Sequence, residues 1–349
     1  MTAFLDQASC WFLHSGIQER SGGVARYYRA DRAQNAPVSA EITGYVVSTL
    51  FYLHTLAGRS AELDGALRAA RYLAREAWDS SASTFPFEPG SSRAYFFDIG
   101  IIIRGLLSAW RATGEEEFRT RAHEAALSLA FDFLGDGVFH PIISLPDKQP
   151  VPYDQRWSRT PGCYQLKSAL AWRDLGDEHA APLFDSVLAY SLSTHDSFLR
   201  GEPDHEKLMD RLHAYCYFLE ALLAVADREE PRRVLVQGID RVAAMRREIA
   251  PRFERSDVCA QLLRLRLIAH HLYALPLDEN AASEEAHRTA SYQADSPDPR
   301  LRGAFWFGMR SGEMLRFANP VSAAFGVQAL VLWRQHQARD WRFDLSQLI

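Results

Sequence analysis

The stretch Phe97-Asp98-Ile99-Gly100-Ile101-Ile102-Ile103-Arg104-Gly105-Leu106-Leu107-Ser108-Ala109-Trp110-Arg111-Ala112-Thr113-Gly114 decides how the chain is read. It is long enough for about five helical turns. It is apolar on nearly every side, the mark of a helix enclosed all round rather than laid on a surface. One carboxylate, Asp98, stands in its first turn, and Gly114 ends it. Glu115-Glu116-Glu117 then opens a helix of different character, in which Phe118, Ala122, Ala125 and Leu129 keep to one face. The unit is a buried helix, a tight turn and a one-sided helix.

Outward from this stretch the unit repeats. Toward the N-terminus, Glu41 opens an apolar helix through Tyr45, Val46, Val47, Leu50, Phe51, Tyr52 and Leu53 that ends near Gly58. Residues 60–78 answer it with Leu63, Leu67, Ala70, Leu73 and Ala74 at three- and four-residue spacing and Arg68, Arg71 and Arg75 between them. A first helix covers 3–14. Toward the C-terminus, enclosed candidates at 162–175, 208–227, 256–275 and 321–335 alternate with one-sided ones at 177–194, 231–248 and 278–293. No run reads as a strand. About twelve helices in six pairs, at a period of roughly 45 to 65 residues, predict a two-layer ring with enclosed helices inside and half-wet helices outside. An open solenoid of stacked pairs is the alternative, and a last helix as apolar as the second favours closure.

The connections differ systematically. Inner-to-outer turns are short: Ala57-Gly58-Arg59, Thr113-Gly114-Glu115, Leu175-Gly176-Asp177. Outer-to-inner loops are mostly long and carry aromatics, arginines and carboxylates. In a closed ring they all emerge at one end, beside the N-termini of the inner helices and their unpaired N–H groups. One rim is therefore expected to hold a concave polar and aromatic site.

Composition sets the outer limits. The chain has 349 residues, 47% of them hydrophobic, enough to bury a large core. A net charge of -5, with no basic block to follow a phosphate backbone, argues against nucleic acid. The start, Met1-Thr2-Ala3-Phe4-Leu5-Asp6-Gln7, has no basic region followed by an apolar run, and no segment has the length of a membrane span. The expected location is the cytoplasm. Cys10, Cys163, Cys216 and Cys259 are scattered and read as buried thiols rather than a zinc or redox set. His270 and His271, adjacent on a helix, are expected to diverge and to be structural; neither metal nor cofactor is expected.

The six hairpins with Gly-Asp or Gly-Glu turns, the aromatic rim loops, and the openings Phe97-Asp98-Ile99-Gly100 and Phe317-Ala318-Asn319-Pro320-Val321-Ser322-Ala323-Ala324-Phe325 resemble those of the six-hairpin (α/α)6 toroid proteins. The resemblance covers essentially the whole chain. It implies an all-α fold, a single (α/α)6 toroid or barrel of about twelve helices in six hairpins, as one domain over 1–349. It also implies a carbohydrate-active protein. The group contains glycoside hydrolases, unsaturated glucuronyl hydrolases, sugar epimerases and polysaccharide lyases, and the fold does not choose among them.

Glycoside cleavage needs two carboxyl groups about 5 to 10 Å apart across the bond. The rim offers Glu41, Asp98, Asp154, Asp204, Asp210 and Asp257. Asp98 and Glu41 head the set because each sits at the mouth end of an enclosed helix, where helix capping is the competing role. Asp210 and His213, three residues apart, share a helix face, so the carboxylate is expected to raise the imidazole pKa. Either they shuttle a proton or His213 is a satisfied core histidine. Tyr27, Tyr28, Trp157, Trp306 and Phe307 are expected to stack on sugar faces or to tether their loops. Arg26, Arg156 and Arg310 beside them are placed to clamp an acidic sugar. The leading reading is hydrolysis of a glycosidic bond in an oligo- or polysaccharide; a lyase or epimerase using Tyr and His, and a glycan-binding protein without catalysis, are the alternatives.

Overall fold

The computed structural model describes residues 3–178 and 180–349. Its helices follow the expected alternation. The inner set is α2 (Ala40–Ala57), α4 (Phe96–Thr113), α6 (Leu166–Leu175), α8 (His205–Leu222), α10 (Ser256–Tyr273) and α12 (Pro320–Gln337). The outer set is α1 (Ala3–His14), α3 (Ser60–Tyr72), α5 (Glu116–Phe131), α7 (Ala181–Phe198), α9 (Glu229–Ile249) and α11 (Glu279–Ser291). Each inner helix packs on the next, α2 on α4 through to α10 on α12, and α12 packs back on α2. The ring closes, and the open-solenoid alternative falls.

Sequence signals set the helix ends. The Ser39 hydroxyl accepts from the Ile42 N–H at the start of α2, the Asp204 carboxylate from Glu206 and Lys207 at the start of α8, and Asn319 from Val321 ahead of Pro320 in α12. Gly58, Gly114 and Gly176 close α2, α4 and α6 in the left-handed region, with φ of 68°, 72° and 72°. At the α2–α4 crossing, a Cβ on Gly105 would lie 2.7 Å from the Gly44 carbonyl oxygen, so this close approach of two backbones requires glycine.

The long loops do gather at one end, and short strands tie them together. The loop before α2 pairs with the loop before α12 (Tyr28 with Ala318), the loop before α10 with the loop before α12 (Glu254 with Met309), and the loop before α4 with the loop before α6 (Ala94 with Ile143). Strands of two or three residues were not anticipated, because pairs this short leave no periodic pattern to read. The opposite end holds the short turns and the tail 338–349. There a pocket of about 250 Å³ lies between Ser48, Thr55, Ser108 and Leu348, with its Arg104 already bound to Asp174 at 2.7 Å.

Inside the ring, below the mouth, three charged side chains are enclosed: Lys167 of α6, Glu220 of α8 and Arg264 of α10. Lys167 Nζ stands 2.8 Å from Glu220, and Arg264 binds the other carboxylate oxygen. One terminal nitrogen of Arg264 also donates to Gln328 Oε1 and the Ile349 main-chain oxygen, at 2.9 and 3.2 Å, while the Arg264 Nε–H is buried without a partner. Cys163, Cys216 and Cys259 are buried as expected, but Cys10 is exposed on α1. No helix among the described residues is long and apolar enough to cross a membrane.

Candidate functional site

Two carboxylates meet on one wall of the mouth. Asp98 lies in the first turn of α4, only 7% exposed, and its Oδ2 has no hydrogen-bond partner. Burial, and then the charge of Glu41, hold its carboxyl well above the usual range, against the pull of Arg26. Glu41, in the first turn of α2, is pushed up to about 7 by burial, with Arg26 again opposing. Neither residue occupies a capping position; Ser39 and Tyr95 do. Two neighbouring carboxyls with one cation in reach titrate as a pair, and each raises the cost of ionising the other. Arg26 is itself fixed by Glu88 at 3.1 Å and by the Phe87 ring 4.6 Å from its guanidinium carbon.

The facing wall is built around His213 of α8. Its Nδ1 is 2.8 Å from Gln261 Oε1 on α10, an amide oxygen that can only accept, so Nδ1–H donates and Nε2 keeps its lone pair. Asp257 Oδ1 is 3.6 Å from the same nitrogen. Asp257 does not make the ring cationic, because Arg255 grips both its oxygens at 2.9 and 2.6 Å and also takes Asp210 at 2.7 Å. Asp210 does push the His213 pKa up, as expected, but burial first, and then Arg255, outweigh it and pull the value down to about 4. His213 is a neutral imidazole at physiological pH.

Aromatic rings join the two walls. Tyr217 lies 4.5 Å from His213 and 4.7 Å from Phe97, and Phe325 lies 5.5 Å from Tyr45 and 6.1 Å from Tyr217, centroid to centroid. Burial raises both tyrosine pKa values well above normal, and Glu41 pushes each the same way, so both stay neutral. Tyr45 Oη and Gln261 Nε2, like Asp98 Oδ2, are buried without a hydrogen-bond partner. Three such groups in one contiguous set are unusual for a packed interior and suit a ligand rich in hydroxyls.

Sequence reading missed Tyr45, Tyr217, Gln261 and Arg255. A signal was available: Glu41 and Tyr45, His213 and Tyr217, and Asp257 and Gln261 are each four apart, so α2, α8 and α10 each carry two polar groups one turn apart on the same face.

The proposed binding residues divide. Tyr27 lies 5.5 Å from Phe317, and Phe317 stacks at 4.7 Å on Phe307, whose other side carries Arg255 at 4.5 Å. Trp157 meets Tyr164 edge-on at 5.1 Å. Trp306 is half-buried, its carbonyl accepting from the Ser256 hydroxyl at 2.7 Å. Tyr28 takes the second of its two expected roles: it is buried under Arg300, 4.4 Å from its ring, and its backbone pairs with Ala318, so it tethers a loop. The arginines expected to clamp an acidic sugar are occupied, Arg26 by Glu88, Arg156 by Asp154 at 2.8 Å and Arg310 by Glu206 at 2.6 Å. Among the other rim carboxylates, Asp154 is held by Arg156 and Arg159, and Asp204 caps α8.

No family model matches the chain, and no curated relative is found from its sequence. Solved structures do match over nearly the whole length. Cellobiose 2-epimerase from Spirochaeta thermophila is 13% identical with a TM-score of 0.71, covering 95% of this chain and 98% of that one. Cellobiose 2-epimerase from Bacillus thermoamylovorans is 12% identical at 0.69, covering 96% and 100%. A D-mannose isomerase is 10% identical at 0.68, covering 96% and 98%. At such identities the likeness speaks to architecture. The chain is a six-hairpin (α/α)6 toroid.

Proposed function

We propose that the chain acts on a neutral reducing sugar by moving protons, as an isomerase or epimerase does. The observation that carries this reading is that two kinds of proton-transfer group border one set of packed rings: the Glu41–Asp98 pair, whose carboxyl pKa values burial raises, and, beside Tyr217, a neutral imidazole with a free Nε2. Abstraction of a proton next to an open-chain sugar carbonyl needs a base on one side and an acid for the carbonyl oxygen on the other. His213 Nε2 takes the first role, and the protonated member of the Glu41–Asp98 pair takes the second. Tyr45 and Gln261 hold sugar hydroxyls, which satisfy their unpartnered atoms. Tyr27, Phe307, Trp157 and Trp306 supply rings around the entrance.

Hydrolysis is the weaker fit. It needs a second carboxyl across the scissile bond, whereas Asp154, Asp204, Asp210 and Asp257 are each bound to an arginine or a helix terminus. With its arginines already paired, the rim also gives no support to an acidic substrate. The epimerase and isomerase neighbours act on sugars by their names and support the reading.

The test is incubation with glucose, mannose and cellobiose in D2O, following deuterium at carbon 2 by NMR. Exchange that is lost in His213→Ala is the expected result. Release of the leaving group from aryl glycosides with no exchange into any reducing sugar would overturn the proposal in favour of hydrolysis. Binding of sugars with neither reaction would overturn it in favour of a non-catalytic glycan binder.

A further inference from the structure

Three histidines meet at the end of the ring opposite the mouth. His270 and His271 were expected to diverge because neighbours on a helix point about 100° apart. Here the two rings nonetheless stay close, and His336 of α12 completes a triangle with them. Ring centroids are 5.0 Å (His270 to His271), 5.2 Å (His271 to His336) and 5.9 Å (His270 to His336), with the planes at 76°, 72° and 81°. One ring nitrogen from each lies within 4.8 Å of the other two.

The outer nitrogens are already committed. His270 Nδ1 lies 2.9 Å from the Leu275 carbonyl oxygen, and His336 Nε2 lies 3.0 Å from Glu279 Oε1. Both partners only accept, so these nitrogens carry the protons, and His270 Nε2 and His336 Nδ1 keep lone pairs. His271 Nε2 faces His336 Nδ1 at 3.0 Å. A carbonyl or carboxylate on the far N–H is the support that metal-bound imidazoles ordinarily have. His271 is held from behind by Trp341, stacked at 3.9 Å and 11°. All three histidines are half-buried, within reach of an ion from solvent.

We infer that His270, His271 and His336 form a binding site for a divalent transition-metal ion, Zn2+ by preference, on the face of the toroid away from the sugar mouth. Three imidazoles leave a fourth position to water, a set that suits zinc. A tetrahedral ion about 2.0–2.1 Å from each nitrogen needs them about 3.3 Å apart. The His271–His336 pair is close to that separation, and rotation of the His270 ring brings in the third. From Asp257 to His270 along α10 is about 20 Å, so the ion takes no part in chemistry at the mouth. Its effect is to tie the ends of α10 and α12 together, with α11 joined through Glu279.

The experiment uses the full chain stripped with a chelator, titrated with Co2+ and followed by its visible absorption, and separately titrated with Zn2+ by calorimetry. One ion per chain, a Co2+ band typical of four-coordination, and displacement of Co2+ by Zn2+ are expected. His336→Ala should abolish the band, and Glu279→Gln, which leaves all three ligands in place, should weaken affinity by about 10- to 100-fold. Zn2+ should raise the melting temperature of the wild type and not of His336→Ala. No saturable binding, or binding unchanged in both variants, would show the three rings to be a hydrogen-bonded tie between helices and overturn the inference.

Discussion

Replacing Glu220 with Gln tests how the floor of the mouth is held. Lys167, Glu220 and Arg264 have side chains with 0% exposure, so two cations share one anion out of contact with water. Without that anion, only neutral acceptors face them: the amide oxygen of the substituted side chain, the Gln328 amide oxygen and the Ile349 main-chain oxygen. Removing one partner of a buried ion pair costs about 3–5 kcal/mol. For 349 residues the unfolding entropy, at about 2.1 cal/mol/K per residue, is about 0.7 kcal/mol/K, so the melting temperature should fall by about 4–7 °C. Calorimetric melts of wild type and Glu220→Gln are the assay. A surface pair would lose its contribution in high salt, whereas this one is shielded from mobile ions, so the deficit should persist at 1 M NaCl. Exchanging all three charges together for apolar side chains of similar volume should recover most of the loss, since no uncompensated charge is left behind. An unchanged melting temperature in Glu220→Gln, or a deficit that salt removes, would refute the argument.

Asp98→Asn should keep the fold and sugar binding and lower turnover about 10²- to 10⁴-fold, because an amide cannot share a proton with Glu41; undiminished deuterium exchange would exclude the pair from the chemistry. Gln261→Leu should spare the fold but free His213 to take either tautomer, lowering kcat more than it changes KM, as read from steady-state kinetics across pH. Glu41 bears on stability as well: its folded pKa of about 7 lies above the unfolded value near 4.5, so the native state binds the extra proton between them and stability falls as pH rises through that window. Denaturant titrations should show the fall in wild type and a shallower one in Glu41→Gln, leaving the share of the other raised carboxyls, Asp98 and Glu285, the latter also raised to about 7. Gly105→Ala should cost about 1–3 kcal/mol by forcing α2 and α4 apart, measured as a lower denaturation midpoint.

The architecture was legible because it rests on local pattern. Whether a helix is wet on one side or on none can be read from Phe97 to Gly114 and from its counterparts, and the short Gly turns against long aromatic loops say which ends lie together. Glu41 and Asp98 were also legible, since a carboxylate at the end of an enclosed helix stands out. Their mutual coupling was not, because it depends on α2 and α4 crossing at Gly44 and Gly105. The sign of the His213 shift was misread for a related reason. Asp210 is the neighbour in sequence, but burial within the ring and then Arg255, from the segment just before α10, outweigh it. The partners of Arg26 and Arg310 were not legible because Glu88 and Glu206 reach them only once the loops are folded, whereas Asp154 stands two residues from Arg156. Short-range periodicity shows which side chains face inward; it carries no information about which of them cancel.

The closed ring also has an effect that belongs to no side chain. All six inner helices, starting at Ala40, Phe96, Leu166, His205, Ser256 and Pro320, direct their first turns toward the same opening. Each helix macrodipole places roughly half a positive elementary charge there. A sugar that loses a carbon-bound proton passes through an enediolate, whose oxygens carry the charge left behind. Under the proposed reaction the backbone itself would meet such an oxyanion with fixed positive potential that needs no reorganisation as charge develops, and substitutions among the lining side chains would leave this field in place.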